Sequence, residues 1–291
     1  MSHTPTADPQ LREEGIAVIR FMDSVKQDPQ RLQPHYHEFF QIFFLRGRAR
    51  VMHDFSEFTA AANTLVFMSP GQVHTARPAP GLIGTTVSFT QAFFDHFAPP
   101  PSRLFEYPFF FATHARPWLG VAPTDAPSIG EIFTTMEREF DAAQPGAAEI
   151  LRALLHILLV RAERLYAGVH PPRAVTRATQ LARQFQIAVE QHFREWDAVS
   201  DYAQALGVSA NHLHDVIREQ IGHAAGEIIR ERRLLDAKRL LLHSDLTAAE
   251  IGYRVGFQDP SYFSRFFKRS TSATPAEFRE EIREKYHPKP E

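Results

Sequence analysis

The sequence predicts an α+β fold: an N-terminal β-barrel with following helices, then an all-α domain in which two helix-turn-helix motifs are joined by a long helix. Three observations carry this prediction. Short apolar runs separated by turn residues occupy the first third of the chain, helical periodicity takes over near Ile129, and a capped helix-turn-helix pattern occurs twice in the C-terminal half. A chain of 291 residues accommodates two domains of ordinary size. The division is expected between residues 170 and 171, giving domains 1–170 and 171–291.

Composition narrows the functional classes. A hydrophobic fraction of 44% with 23% charged residues is the profile of a soluble globular protein. The absence of cysteine excludes disulfides, thiolate metal sites and redox-sensing thiols, and fits a reducing compartment. Residues 1–10 are polar and lack the apolar core of a signal peptide. The most apolar stretch, 151–160, contains Arg152 and His156 and is too short to span a bilayer, so a cytoplasmic protein with no membrane contact is expected. The net charge of −2 argues against an indiscriminate polyanion binder. Residues 174–291 hold 17 basic and 17 acidic side chains, so any basic footprint there has to come from placement. The 25 phenylalanines, concentrated in the first half, fit either an aromatic β-core or a Phe-lined pocket for a small apolar or aromatic ligand.

In chain order, residues 1–15 form a candidate arm. Residues 31–90 read as strands: apolar runs at 39–45, 65–68 and 82–89 are divided by turn signals at 46–48, 69–71 and 78–81. Prolines break the chain at 98–101, and 117–127 reads as a second irregular stretch. Ile129, Phe133, Met136 and Phe140 then form one apolar helical stripe. Residues 147–165 are apolar on more than one face, as in a helix that is deeply buried or that covers both its own domain and a partner copy; a homodimer is expected. Gly168 and the prolines at 171–172 end that helix.

The C-terminal half repeats one device. Residues 199–206 are helical, Gly207 supplies a turn, Ser209 caps the next helix, and Leu206, Leu213 and Ile217 face inward. In the second copy Thr247 and Glu250 form a capping box, Gly256 makes the turn, Asp259 caps with Pro260 at the first helical position, and Val255, Phe263 and Phe267 take the inward places. Between them residues 225–243 are strong helix formers, spanning about 28 Å at 1.5 Å per residue. Two helices entering successive major grooves on one DNA face need a separation of about 34 Å.

The strings RLLDAKRLLL at 233–242, IGYRVGF at 251–257, SYFSRFFK at 261–268 and TPAEFR at 274–279 resemble the AraC/XylS family of bacterial regulators over residues 184–283. This chain departs from the family at Gly252, where Ala is usual, at Ser272, where Gly is usual, and at Ala224-Ala225, where a Thr/Ser-Pro helix start is usual. The resemblance implies that the second helix of each copy reads bases in duplex promoter DNA. The outward positions are Asn211, His214 and Asp215 in the first copy and Ser261, Tyr262, Ser264 and Arg265 in the second. Arg265 can bridge guanine O6/N7, Asn211 adenine N6/N7, and Asp215 can accept from cytosine N4. Arg218, Lys268 and Arg269 lie a turn further on and suit phosphates. For Arg232, Arg233, Lys238 and Arg239 on the connecting helix, structural ion pairing and phosphate contact stand as equal alternatives.

In the N-terminal half, HYHEFFQ at 35–41 and PGQVH at 70–74 resemble the two short motifs of cupin barrels. On a strand, His35, His37 and Gln41 share a face and would converge with His74 inside the barrel as ligand-binding groups. Gln41 stands where metal-binding cupins carry Glu; a neutral amide weakens a divalent-metal site, so neither a metal nor a cofactor is expected. The two resemblances together imply a regulator, not an enzyme, controlled by a small-molecule effector in the barrel, with RNA polymerase as a partner if it activates. Two alternatives remain open: a cupin metal enzyme with a DNA-binding tail, and an effector-independent DNA-binding dimer.

Overall fold

The computed structural model describes residues 11–97, 104, 107–110, 116–169 and 176–286, which fall into two compact units, 11–169 and 176–286. Residues 1–10 and the proline break at 98–101 lie outside the described residues.

The first unit holds β1 (Ile16–Arg20), α1 (Phe21–Gln27), β2 (Phe40–Arg46), β3 (Ala49–His53), β4 (Ser56–Ala60), β5 (Thr64–Met68), β6 (His74–Pro78), β7 (Ile83–Phe89), α2 (Gln91–Phe94), β8 (Trp118–Gly120), α3 (Ala126–Ala142) and α4 (Ala147–Val169). The strands form two antiparallel sheets, ordered β1-β7-β2-β5-β8 and β4-β3-β6. Both faces of the larger sheet are buried, which is why its central strands read as continuous apolar runs. Phe40, Ile42 and Phe44 of β2 alternate outward into a core shared with Phe133 and Met136 of α3 and Leu151, Leu155 and Leu158 of α4. Phe43 and Leu45 alternate inward and meet Val66, Met68, Val51 and Ala49 between the two sheets. The phenylalanine excess therefore fills the sheet-to-helix core: Phe40, Phe44, Phe67, Phe89, Phe93, Phe94, Phe109 and Phe133 are all in that layer. Of the two readings of that excess, the aromatic core describes these residues.

Three sequence expectations need correction. Residues 117–127 are irregular only in part, at 121–125. β8 pairs with β5, Trp118 stacks on Phe58 at 4.0 Å, Leu119 enters the outer core, and Pro127 sits in the first turn of α3, where a missing N–H costs nothing. β1 was not expected; it pairs with β7, some seventy residues away, and runs straight into α1 without turn residues to announce it. Residues 11–15 are not a free arm, since Leu11 packs on the outer core and the Arg12 guanidinium lies 3.8 Å over the Phe140 ring and donates to the Phe140 carbonyl. Helix α4 ends at Val169, within the expected 168–172 stretch. Its buried face carries Leu151, Leu155, Leu158, Leu159 and Ala162, while Ile150, Ile157 and Val160 are exposed.

The second unit is helical: α5 (Arg177–His192), α6 (Val199–Ala205), α7 (Ala210–Ile221), α8 (Ala225–His243), α9 (Ala248–Arg254), α10 (Pro260–Thr271) and α11 (Pro275–Tyr286). The α6–α7 and α9–α10 pairs are the expected helix-turn-helix motifs, and α8 has the predicted ends. Helix α5 was not foreseen; its Leu181, Phe185 and Val189 build one core with Leu213, Ile217 and Ile228 of α7 and α8. The second motif is closed by Ile251, Val255, Phe263 and Phe267, all fully buried. Gly252 fits there because a Cβ would sit 3.1 Å from the Phe263 ring, and Ser272 accepts the left-handed conformation (φ 66°) that Gly222 (φ 87°) adopts at the matching end of α7. Among the described residues, no helix is long and apolar enough to cross a membrane.

Candidate functional site

The two second helices are built alike. Ser209 Oγ accepts from the His212 amide at the start of α7, and Asp259 Oδ1 accepts from the Ser261 amide at the start of α10. Fifty positions apart, Leu213 and Phe263, Val216 and Phe266, and Ile217 and Phe267 anchor each helix in its core. The opposite face of each is open. Asn211, Asp215 and Arg218 are exposed on α7, as are Ser261, Tyr262, Arg265, Lys268 and Arg269 on α10. His214 and Ser264, expected to point outward, are half-buried at the flank. His212 was missed by sequence reasoning; it is exposed at the position that matches Tyr262, and the fifty-residue offset of the repeat was the signal that locates it.

Charge is divided unequally. Residues 199–222 carry one basic and three acidic side chains, whereas 248–272 carry four basic and two acidic ones. The neutrality of the helical unit thus conceals a cationic second motif. Most cations of the connecting helix point inward, Arg230 alone among them being exposed. Arg232, Arg233 and Arg239 are buried; Arg232 pairs with Glu190 at 2.7 Å and Arg233 with Asp197 at 2.7 Å. Lys238 is half-buried, 5.6 Å from the Phe278 ring, and burial lowers its pKa. Of the two alternatives left open for these cations, the structural one describes Arg232 and Arg233.

In the first unit the four expected groups converge, though not on one strand. His35 makes an isolated bridge to His74, residues 36–39 turn, and β2 starts only at Phe40. The His35 and His74 rings are 4.4 Å apart and the His37 and His74 rings 4.7 Å apart. His53, which the sequence reading did not include, lies opposite His74 in the β3–β6 register and reaches Gln72 at 3.1 Å. Burial lowers the pKa of His35, of His37 to about 3, and of His74 well below the ordinary imidazole range; neighbouring imidazoles depress His37 and His74 further. The rings are therefore neutral at pH 7.

Neutrality fixes the tautomers of His35 and His74. Nδ1 of His35 and His74 lies 2.9 and 3.0 Å from the carbonyl oxygens of Gln33 and Gln72, so in each of these rings Nδ1–H donates and Nε2 offers a lone pair, while His37 Nδ1 lies 2.7 Å from the Phe39 carbonyl oxygen. His37 Nε2 is 2.8 Å from the Gln41 amide, which also meets Ser88 Oγ at 2.9 Å. The amide oxygen Oε1 faces the ring, and Nε2 of the same amide donates to Ser88 Oγ. His74 Nε2 and Thr86 Oγ1 are buried without a partner among the described residues. Gln41 occupies His37 and supplies no negative charge, so the set does not fit the divalent-metal site of metal-binding cupins. It fits a ligand that presents hydrogen-bond donors.

Two family models match the chain: the AraC-like ligand binding domain over residues 24–167 and a helix-turn-helix domain over residues 202–281. The chain is 26% identical over 262 residues to the HTH-type transcriptional activator RhaS of Salmonella schwarzengrund (strain CVM19633), covering 87% of this chain and 89% of that one. It is 27% identical over 246 residues to the arabinose operon regulatory protein of Escherichia coli (strain K12), covering 83% and 80%. The solved C-terminal domain of AraT, a response regulator from Geobacillus stearothermophilus, matches 36% of this chain and 88% of its own at 28% identity, with a TM-score of 0.35. With a barrel-type unit matching the ligand-binding model and two capped helix-turn-helix motifs behind it, the chain belongs to the AraC/XylS family of transcription regulators.

Proposed function

We propose that this regulator binds specific duplex promoter DNA through α7 and α10 and is controlled by a small-molecule effector held in the barrel. The observation that carries the reading is the pair of second helices with one exposure pattern, fifty residues apart, behind an AraC-like ligand-binding domain. Asn211, His212, His214 and Asp215 on α7 and Ser261, Tyr262, Ser264 and Arg265 on α10 take base contacts, and Arg218, Lys268 and Arg269 take phosphates. His35, His37, Gln41 and His74 line the effector site. The functional division falls at 170/171, with domain 1–170 sensing and dimerising and domain 171–291 reading DNA. The protein acts in the cytoplasm as a regulator and not as a catalyst.

Dimerisation has a candidate seam. Ile150, Leu154 and Ile157 are spaced 4 and 3 apart on α4; Ile150 and Ile157 are exposed, and Leu154 is half-buried at the edge of the core. A homodimer pairing this seam places two DNA readers on one promoter. Both curated relatives described above are regulators and one is named an activator, which favours activation and contact with RNA polymerase. Binding-site selection on genomic DNA with the full chain tests the reading. Arg265→Ala is expected to lower specific binding by about 1–3 kcal/mol and to relax the preference at one base pair. Unchanged affinity and preference would overturn the assignment of α10.

A further inference from the structure

Buried in α8, the Arg233 side chain bridges the two helix-turn-helix motifs. On one side Nε donates to the Phe193 carbonyl at 2.6 Å, Nη2 to the Trp196 carbonyl at 3.1 Å and Nη1 to Asp197 Oδ1 at 2.7 Å. These three belong to the segment that joins α5 to α6. Trp196 passes the connection on, because its ring meets Tyr202 of α6 edge-on at 5.0 Å and its carbonyl accepts from the Tyr202 hydroxyl. On the other side Nη1 donates to the Gly256 carbonyl at 3.1 Å, in the turn of the second motif. The next residue, Phe257, lies 5.5 Å from the guanidinium and packs on Phe263 and Phe266 of α10 at 5.3 and 5.2 Å. Arg194, in the same α5–α6 segment, is held to Asp236 of α8 through Nε at 3.1 Å and Nη2 at 3.0 Å.

The two turn glycines differ in a way that isolates this contact. Both have positive φ, 69° at Gly207 and 91° at Gly256. A Cβ on Gly207 would meet nothing within 4 Å, whereas one on Gly256 would overlap the Arg194 carbonyl oxygen and come 2.8 Å from Arg233 Nη2. The second turn is closed onto the Arg233 fork; the first is open.

We propose that Arg233 is a positioning residue that fixes the orientation of α10 relative to α7, and so sets the spacing of the two DNA sub-sites that the protein accepts. The inference rests on the reading that both helices contact DNA. A lysine cannot replace the fork, since a single ammonium does not span four acceptors on two sides of a helix.

The test takes the operator selected by the full chain and compares three duplexes: the operator, the operator with one base pair inserted between its sub-sites, and a single sub-site. One inserted pair rotates the second sub-site by about 34° and so discriminates a rigid reader from a loose one. In Arg233→Gln the preference for the native spacing is expected to fall about tenfold, with single-sub-site binding unchanged within about twofold. Arg233→Lys and Gly256→Ala follow Arg233→Gln, while Gly207→Ala keeps the native spacing preference. The proposal is overturned if Arg233→Gln and Gly256→Ala retain the wild-type spacing preference, or if operator and sub-site affinities fall by one common factor. Should circular dichroism show Arg233→Gln unfolded, Asp197→Ala carries the comparison, because it removes only the 77%-exposed partner of the fork. Loss of binding in Asn211→Ala and Arg265→Ala with no spacing change in the Arg233 variants defeats this inference alone; no loss in either reading-helix variant defeats the DNA assignment beneath it.

Discussion

Acid should destabilise the barrel unit through its buried histidines. In the unfolded chain an imidazole titrates near 6.5, whereas burial holds His37 at about 3 and His74 well below its ordinary range. Between the folded and unfolded values the unfolded chain binds the extra protons, so stability falls as pH drops through 6.5 and keeps falling until the folded rings protonate. At pH 7.5 neither ring contributes appreciably. At pH 5.5, still above the folded value for His37, each ring lowers stability by roughly 1 kcal/mol, and the pair by roughly 2–3 kcal/mol. The chain has two tryptophans, and Trp118 is in the barrel unit, so urea unfolding followed by fluorescence in a Trp196→Phe background reports that unit. The midpoint is expected to fall between pH 7.5 and 5.5, and the thermal midpoint with it by roughly 5–10 °C. A His37→Gln/His74→Gln double variant should lose most of this slope, whatever its stability at pH 7.5. Equal slopes in the two proteins would refute the claim that these rings are buried and neutral.

Four other outcomes are expected. Lys268→Ala should weaken binding to all duplexes alike and reduce the slope of log affinity against log salt by about one, read by fluorescence anisotropy across a salt series; an unchanged slope would remove Lys268 from the phosphate contacts. Thr247→Ala removes an oxygen that accepts from the Glu250 amide at 3.2 Å, and should cost about 1 kcal/mol in chemical unfolding of the helical unit. Ala198→Ser should stabilise instead, since α6 begins at Ala198 without a side-chain cap. Ile157→Glu on the exposed side of α4 should shift analytical ultracentrifugation toward monomer while leaving the unfolding midpoint of the barrel unit in place; unaltered self-association would take the dimer seam off this helix.

The helical unit was legible in the sequence because its information is local. Caps at Ser209, Thr247 and Asp259, glycines at the two turns and apolar residues at helical spacing each act within a few positions, and the limits of α8 followed from them. What is not local was missed or left undecided. β1 depends on a distant partner, and β8 depends on pairing with β5 despite the prolines around it. Arg232 and Arg233 read on sequence as cations equally suited to phosphate; only the packing of α5 against α8 turns them inward, where Glu190 and Asp197 receive them. The histidines of the barrel were recognisable as a set, and a strand was the simplest way to align them. Tertiary structure gathers them instead through a bridge, a turn and the β3–β6 register, and adds His53 from across the sheet. By itself the sequence determined the class of the protein and the faces of its reading helices, since caps, turns and periodicity are short-range. Only the fold decided which charges are buried, which imidazoles are neutral and how the two motifs are locked together, because desolvation and long-range hydrogen bonds exist only once distant segments pack.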